Sequence, residues 1–164
     1  MLEGFFAWME GVAIYGSSAY LGPGFNLIHL LGMAIFLGAL LIVDLRLLGL
    51  GTTETPLSRV SRDAHPWLVG GFLVLLITGI PALMSTATLQ YVNSIFWFKM
   101  YVLLVATIFT FTYRRTAIKD DRLVDEPRAK VMAVASIVMW LSIPASARLI
   151  MLLPADILGF FPFG

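Results

Sequence analysis

A chain of 164 residues with 59% hydrophobic side chains, 13% charged ones and a net charge of +1 carries about half the charge of an ordinary soluble domain. No continuous basic patch offers itself to nucleic acid, and the absence of cysteine excludes disulfides, thiolate metal sites and thioether-attached haem. The mean hydropathy of +0.90 and the clumping of the charges leave stretches near or above the ~18 apolar residues that a bilayer crossing needs.

In chain order, the first apolar stretch, Phe5 to Met9 and Val12 to Tyr15, is split by Glu10 and Gly11. That split suits a short helix lying in the membrane interface better than a span, and segment 1–24 is read so. Met1 to Gly4 carry no basic residue, so a cleaved secretory signal is not expected. The first span runs from about Phe25 to Leu48, with its only charges, Asp44 and Arg46, at its end. The second, about Trp67 to Ser85, is uncharged and contains Gly70, Gly71, Gly79 and Pro81, which membrane helices tolerate. The third, about Ile95 to Tyr113, opens on Phe96, Trp97, Phe98 and Lys99, an aromatic and basic interfacial anchor. The fourth, about Lys130 to Leu153, holds Pro144, expected to kink it, and Arg148.

These elements predict an all-α polytopic membrane protein, one domain over residues 1–164, built as a four-transmembrane-helix bundle with a short N-terminal interfacial helix. Nine Lys and Arg residues flank the first and third connections, whereas Lys99 and Arg148 alone flank the other side. Positive loops resist translocation, so both termini are expected outside. The mixed-charge segment from Lys119 to Arg128 reads as a solvated connection, and Phe160 to Phe163 as an aromatic interfacial tail.

The two histidines, His29 and His65, fall at opposite ends of their helices, separated by most of the ~30 Å hydrocarbon core, so they do not share one haem iron. His65 precedes Pro66 and Trp67 and is expected to be a surface residue in a loop before a helix-starting proline. His29 is an ionisable residue inside a span and therefore a candidate site. At helical spacing His29, Gly32, Phe36, Ala39 and Val43 form one face, whose small residues admit a partner helix or a flat cofactor.

Lys99 and Arg148 fall near the depth of His29. A haem b ligated through its iron by His29, and lying near Gly32, would place its propionates near Lys99 and Arg148, with Met84, Met100 or Met151 as a sixth ligand. An anionic lipid headgroup or a quinone would use the same cluster. The plainer reading has Lys99 and Arg148 snorkelling to headgroups and His29 bonding a neighbouring helix. Asp44 is expected to pair with a basic residue and lock the inner end of the bundle. No phosphate-binding glycine loop, HExxH or GxSxG motif occurs in the chain, so a conventional hydrolase or zinc site is not expected. A transport path has only Thr78 at mid-depth of the second span to build on.

The run from His29, Leu30, Leu31 and Gly32 through Gly38 to Asp44, Leu45, Arg46, Leu47, Leu48 and Gly49 resembles an uncharacterised bacterial family of small four-helix membrane proteins. Pro66 with Trp67, Gly71 with Phe72, Thr78 with Gly79, then Tyr91, Asn93, Phe96, Lys99, Ser136, Trp140 and Arg148 extend the likeness over nearly the whole chain. The histidine opening the first helix, with a basic residue at its end, is distantly similar to copper-resistance D type proteins and membrane protoporphyrinogen oxidases. In the latter it implies haem b binding, carried here by His29 alone.

The leading expectation is a non-catalytic inner-membrane protein, multi-pass in a bacterial membrane, serving as subunit or anchor of an assembly with other membrane or periplasmic subunits. The competing one is a haem b electron-transfer protein that uses His29 and exchanges electrons with quinone or a periplasmic partner.

Overall fold

A computed structural model describes residues 2–13, 20–51, 54–114 and 126–152. Among them are six helices and no strand: α1 (Leu2–Gly11), α2 (Leu21–Leu47), α3 (Leu57–Met84), α4 (Ala87–Tyr91), α5 (Ser94–Ile108) and α6 (Pro127–Leu152). A π-helical turn, Phe109–Arg114, prolongs α5. Four of these, with α5 counted to Thr112, are long and apolar enough to cross a membrane. The expected aromatic tail and the mixed-charge connection through Asp125 lie outside the described residues.

The α2 helix ends in a Schellman turn. Gly49 takes a left-handed φ of +78°, its N–H bonds the Arg46 carbonyl at 3.1 Å, and the Leu50 N–H reaches back to Leu45 at 2.8 Å. Only a glycine adopts that backbone without a Cβ penalty. Arg46 Nε donates to the Thr55 carbonyl at 2.8 Å and ties down the returning chain.

The α3 helix corrects one expectation. It starts at Leu57, ten residues before the expected Trp67, and runs through Pro66. His65 is therefore helical, although it is exposed as expected. Leu57, Val60, Ala64, Leu68 and Gly71 are buried at spacings of three and four residues, a helical stripe that continues across the proline. The carbonyl that Pro66 leaves unbonded belongs to Arg62. Arg62, Asp63, His65 and Trp67 around it are all exposed, so solvent can satisfy it.

The α2 and α3 helices form the most extensive pair, α5 packs on α6, and the two pairs join mainly through α2 and α6. Glycines set the first contact. A Cβ on Gly71 would lie 2.8 Å from the Phe36 amide nitrogen, and one on Gly32 would lie 2.6 Å from Val74 Cγ1. Backbones approach closely there because no side chain intervenes. In mid-bundle, Phe36 meets Trp140 at a ring-centroid distance of 4.4 Å, and Phe72 meets Phe111 at 5.1 Å. Trp140 Nε1 donates to Thr110 Oγ1 at 2.9 Å, so the indole proton is satisfied inside the core. Thr110 belongs to the π-helical turn.

The expected N-terminal helix is present, and it rests on the α3–α5 connection. That connection contains α4, a short helix not foreseen from the sequence. Phe6 is buried against Tyr91 at 4.9 Å and Trp97 at 6.4 Å. The Glu10 carboxylate accepts hydrogen bonds from the N–H and the hydroxyl of Thr88. Asn93 Oδ1 caps α5 by accepting from the Ile95 N–H at 2.9 Å. The bundle end carrying α1 and α4 is called the near end below, and the α2–α3 turn marks the far end.

Candidate functional site

His29 lies eight residues into α2, about 12 Å from its start. Its Nδ1 is 2.7 Å from Thr78 Oγ1 on α3. The same hydroxyl donates to the Val74 carbonyl at 2.6 Å, which uses its one proton. His29 Nδ1–H is therefore the donor to Thr78, and the lone pair of the neutral ring sits on Nε2. Among the described residues no hydrogen bond engages Nε2. The ring is wedged, since a Cβ on Gly79 would stand 3.3 Å from its Cε1.

Lys99, in the second turn of α5, is half-buried. Among the described residues nothing accepts a hydrogen bond from its ammonium, and no ion pair engages it. Desolvating a lysine without a partner is costly. His29, Thr78 and Lys99 thus form a polar layer on the near side of the aromatic layer.

The other candidates fall elsewhere. Gly32 faces α3, where Val74 occupies the space in front of it, so of the two occupants its small size admits, the structure supplies the partner helix. Arg148 lies eight residues beyond Trp140, and His29 seven beyond Phe36, so their depths agree to within a few ångströms. Their directions differ. Arg148 is exposed and about 200° around α6 from buried Ser146. Met84 is half-buried, six residues and about 120° around α3 from Thr78. Met100 is half-buried on α5, and Met151 is exposed at the end of α6. At the far end Asp44 is wholly buried among Leu40, Val43 and Leu47.

Thr78 is the site residue whose part as the histidine's partner went unread in the sequence. The signal was present. His29 begins and Thr78 ends an apolar run of small and aromatic residues, the first followed by Gly32 and Phe36, the second preceded by Gly71 and Phe72. Antiparallel packing of glycine on glycine puts the two polar side chains opposite each other.

Four long apolar helices, stapled in pairs and carrying a polar layer at one depth, define a multi-pass helical membrane protein. Within that class the chain belongs to a family of unknown function, DUF6644, whose profile matches residues 5–152. No curated protein and no solved structure matches the chain. The comparisons do not show the distant likeness to copper-resistance D type proteins and membrane protoporphyrinogen oxidases expected from the pattern around His29.

Proposed function

We propose that the protein is a non-catalytic subunit or anchor of a larger assembly in a bacterial inner membrane, with both termini on the outer side. The supporting observation is how little of each helix is used internally. Of the most apolar 18 residues in each long helix, between 17 and 28% are buried within the molecule. Arg148 adds an exposed cation on the outward face of α6, beside Leu141 and Leu149, where a partner helix with an acidic or carbonyl group would stabilise it. A photo-crosslinker at Leu141 or Ala145 should capture a distinct membrane or periplasmic subunit in native membranes. Adducts with lipid alone, together with a monomeric 18.1 kDa species after mild extraction, would sink this reading.

One observation favours a second reading, a haem b electron-transfer protein with His29 as axial ligand. A ligating histidine is ordinarily held through its other ring nitrogen, and the Thr78 bond to Nδ1 does that here. The absorption spectrum of protein from native membranes tests it. A Soret band lost in His29→Ala supports haem; a spectrum without porphyrin ends the reading.

A further inference from the structure

We infer that α1 and α4 form a lipid-binding ledge, in which the Phe5, Trp8 and Val12 face of α1, together with Leu89 and Val92 of α4, lies at the boundary between headgroups and acyl chains in the leaflet at the near end. The inference concerns the chain alone and holds whether or not subunits surround it.

The sides of α1 meet three environments. Phe6 is 8% exposed against Tyr91 and Trp97, and Glu10 reaches Thr88, so these two residues mark the side docked on the α3–α5 connection. Phe5 and Trp8 are 52% and 60% exposed, and Val12 in the following turn is exposed as well. The Val12 N–H still bonds the Trp8 carbonyl at 3.2 Å, so the helical spacing extends to it. The three apolar residues then lie within about 60° of one another around the helix. Glu3 and Ala7, also exposed, fall within about 20° of the point opposite Phe5. An aromatic side and an acidic side on one helix are both accommodated where lipid meets water.

Depth places α1 at that boundary. The third span, Ser94 to Thr112, has 19 residues, about 28 Å of helix against a hydrocarbon core of ~30 Å. A span of that length has no overhang, so Ser94 stands at the edge of the hydrocarbon. Tyr91 comes three residues before Ser94 and Trp97 three residues after it, about 5 Å farther in. Phe6 packs on both, at ring-centroid distances of 4.9 Å and 6.4 Å. The helix that carries Phe6 is thereby held at the level where amphipathic helices lie in a leaflet.

The ledge continues the lipid-facing surface of the spans. Ala87 of α4 is buried while Leu89 and Val92 are exposed, and Phe98 and Tyr101 are exposed on the first two turns of α5. Apolar and aromatic side chains therefore run from the connection onto a helix whose outward residues meet acyl chains. The chemistry of the attachment follows from composition. The α1 helix carries Glu3 and Glu10 and no basic residue, so aromatic and aliphatic burial holds it to the leaflet, and attraction to anionic lipid does not.

The chain contains no cysteine, so a nitroxide on Phe5→Cys, Trp8→Cys or Val12→Cys, or on Glu3→Cys or Ala7→Cys, reports one site in the full chain in phosphatidylcholine nanodiscs. Collisions with oxygen, which concentrates in lipid, are expected to exceed those with a water-soluble nickel chelate several-fold at the first three positions. At the other two the order should reverse. Should a cysteine variant fail to fold, the native tryptophans keep the test. Lipids brominated at the headgroup end of their acyl chains should quench Trp8, a contribution identified by its loss in Trp8→Phe, and quenching that Trp8→Phe leaves unchanged overturns the inference. Nickel access at the apolar positions equal to that at Glu3→Cys and Ala7→Cys puts the face in water and overturns it. Shielding of those positions from both reagents means that a second copy or another protein covers the face, and overturns it as well. A lipid placement that appears only when phosphatidylglycerol is added would overturn the aromatic attachment.

Discussion

Two layers about 10 Å apart along α2 use the membrane interior in opposite ways. In the aromatic layer, Phe36, Phe72, Phe111 and Trp140 interlock, and the one polar hydrogen, on the indole, is bonded to Thr110. In the polar layer, His29 is bonded on one nitrogen only and Lys99 on none among the described residues. A layer that satisfies itself holds the fold. A layer that leaves its complements to something else is where a ligand or partner would act. Apolar packing distinguishes nothing here, because both layers lie in a bilayer where lipid tails are as apolar as leucine.

The largest effect should come from breaking the aromatic layer. Trp140→Ala removes the ring that meets Phe36 and Phe72 and leaves the Thr110 hydroxyl without its donor. Its expected cost is about 3–5 kcal/mol, measured by reversible SDS unfolding in mixed micelles. Next comes the glycine seam. Gly71→Val drives a side chain into the Phe36 backbone and should cost about 1–3 kcal/mol, whereas Gly38→Ala, with nothing within 4 Å of its Cβ, should be tolerated. Equal losses at the two glycines would mean that α2 and α3 are not held by that contact.

How far these layers could be read in advance depended on range. The stripe of Gly32, Phe36, Ala39 and Val43 was visible at helical spacing, and all four are buried. The start of α3 was misplaced because Arg59, Arg62 and Asp63 look like a loop on composition alone. The buried positions that carry the helix, Leu57, Val60 and Ala64, are scattered between those charges. The shared depth of His29, Lys99 and Arg148 is legible in the sequence, but the directions of the three side chains are not. Residue counting gives height along a helix, and Arg148 shares a height with His29, but its face of α6 is set by Trp140 and Ser146 packing inward. The His29–Thr78 bond depends on pair register, which the single sequence contains only as two matched patterns of glycine and aromatic residues.

A smaller effect sharpens the polar layer. Thr78→Val removes one interhelical hydrogen bond, expected to be worth about 0.6 kcal/mol in a membrane bundle, well below the Trp140 effect. Its sharper signature is the histidine tautomer. Nitrogen-15 NMR of labelled protein should show the His29 proton on Nδ1 in the wild type and redistributed in the variant. A proton found on Nε2 in the wild type would remove the basis for assigning Nε2 as an acceptor.

The smallest effect should be at the near end, where Glu10 joins α1 to α4. The two hydrogen bonds from Thr88 hold the Glu10 carboxyl below the ordinary glutamate range, because they stabilise the ionised form. A carboxyl whose folded pKa is depressed contributes stability that is full above its unfolded pKa. That contribution fades as pH falls through the lower folded value. Glu10 is exposed, so the contribution is screened and small, and the bundle itself should stay folded across that range. What should change is α1. Amide exchange in residues 3–11 is expected to quicken as pH drops below the ordinary glutamate range, after correction for intrinsic rates, and Glu10→Gln should bring α1 toward that faster behaviour at neutral pH. Exchange that ignores both changes would assign the docking of α1 to Phe6 alone, packed between Tyr91 and Trp97, and would make Glu10 a bystander on a helix held by its aromatic face.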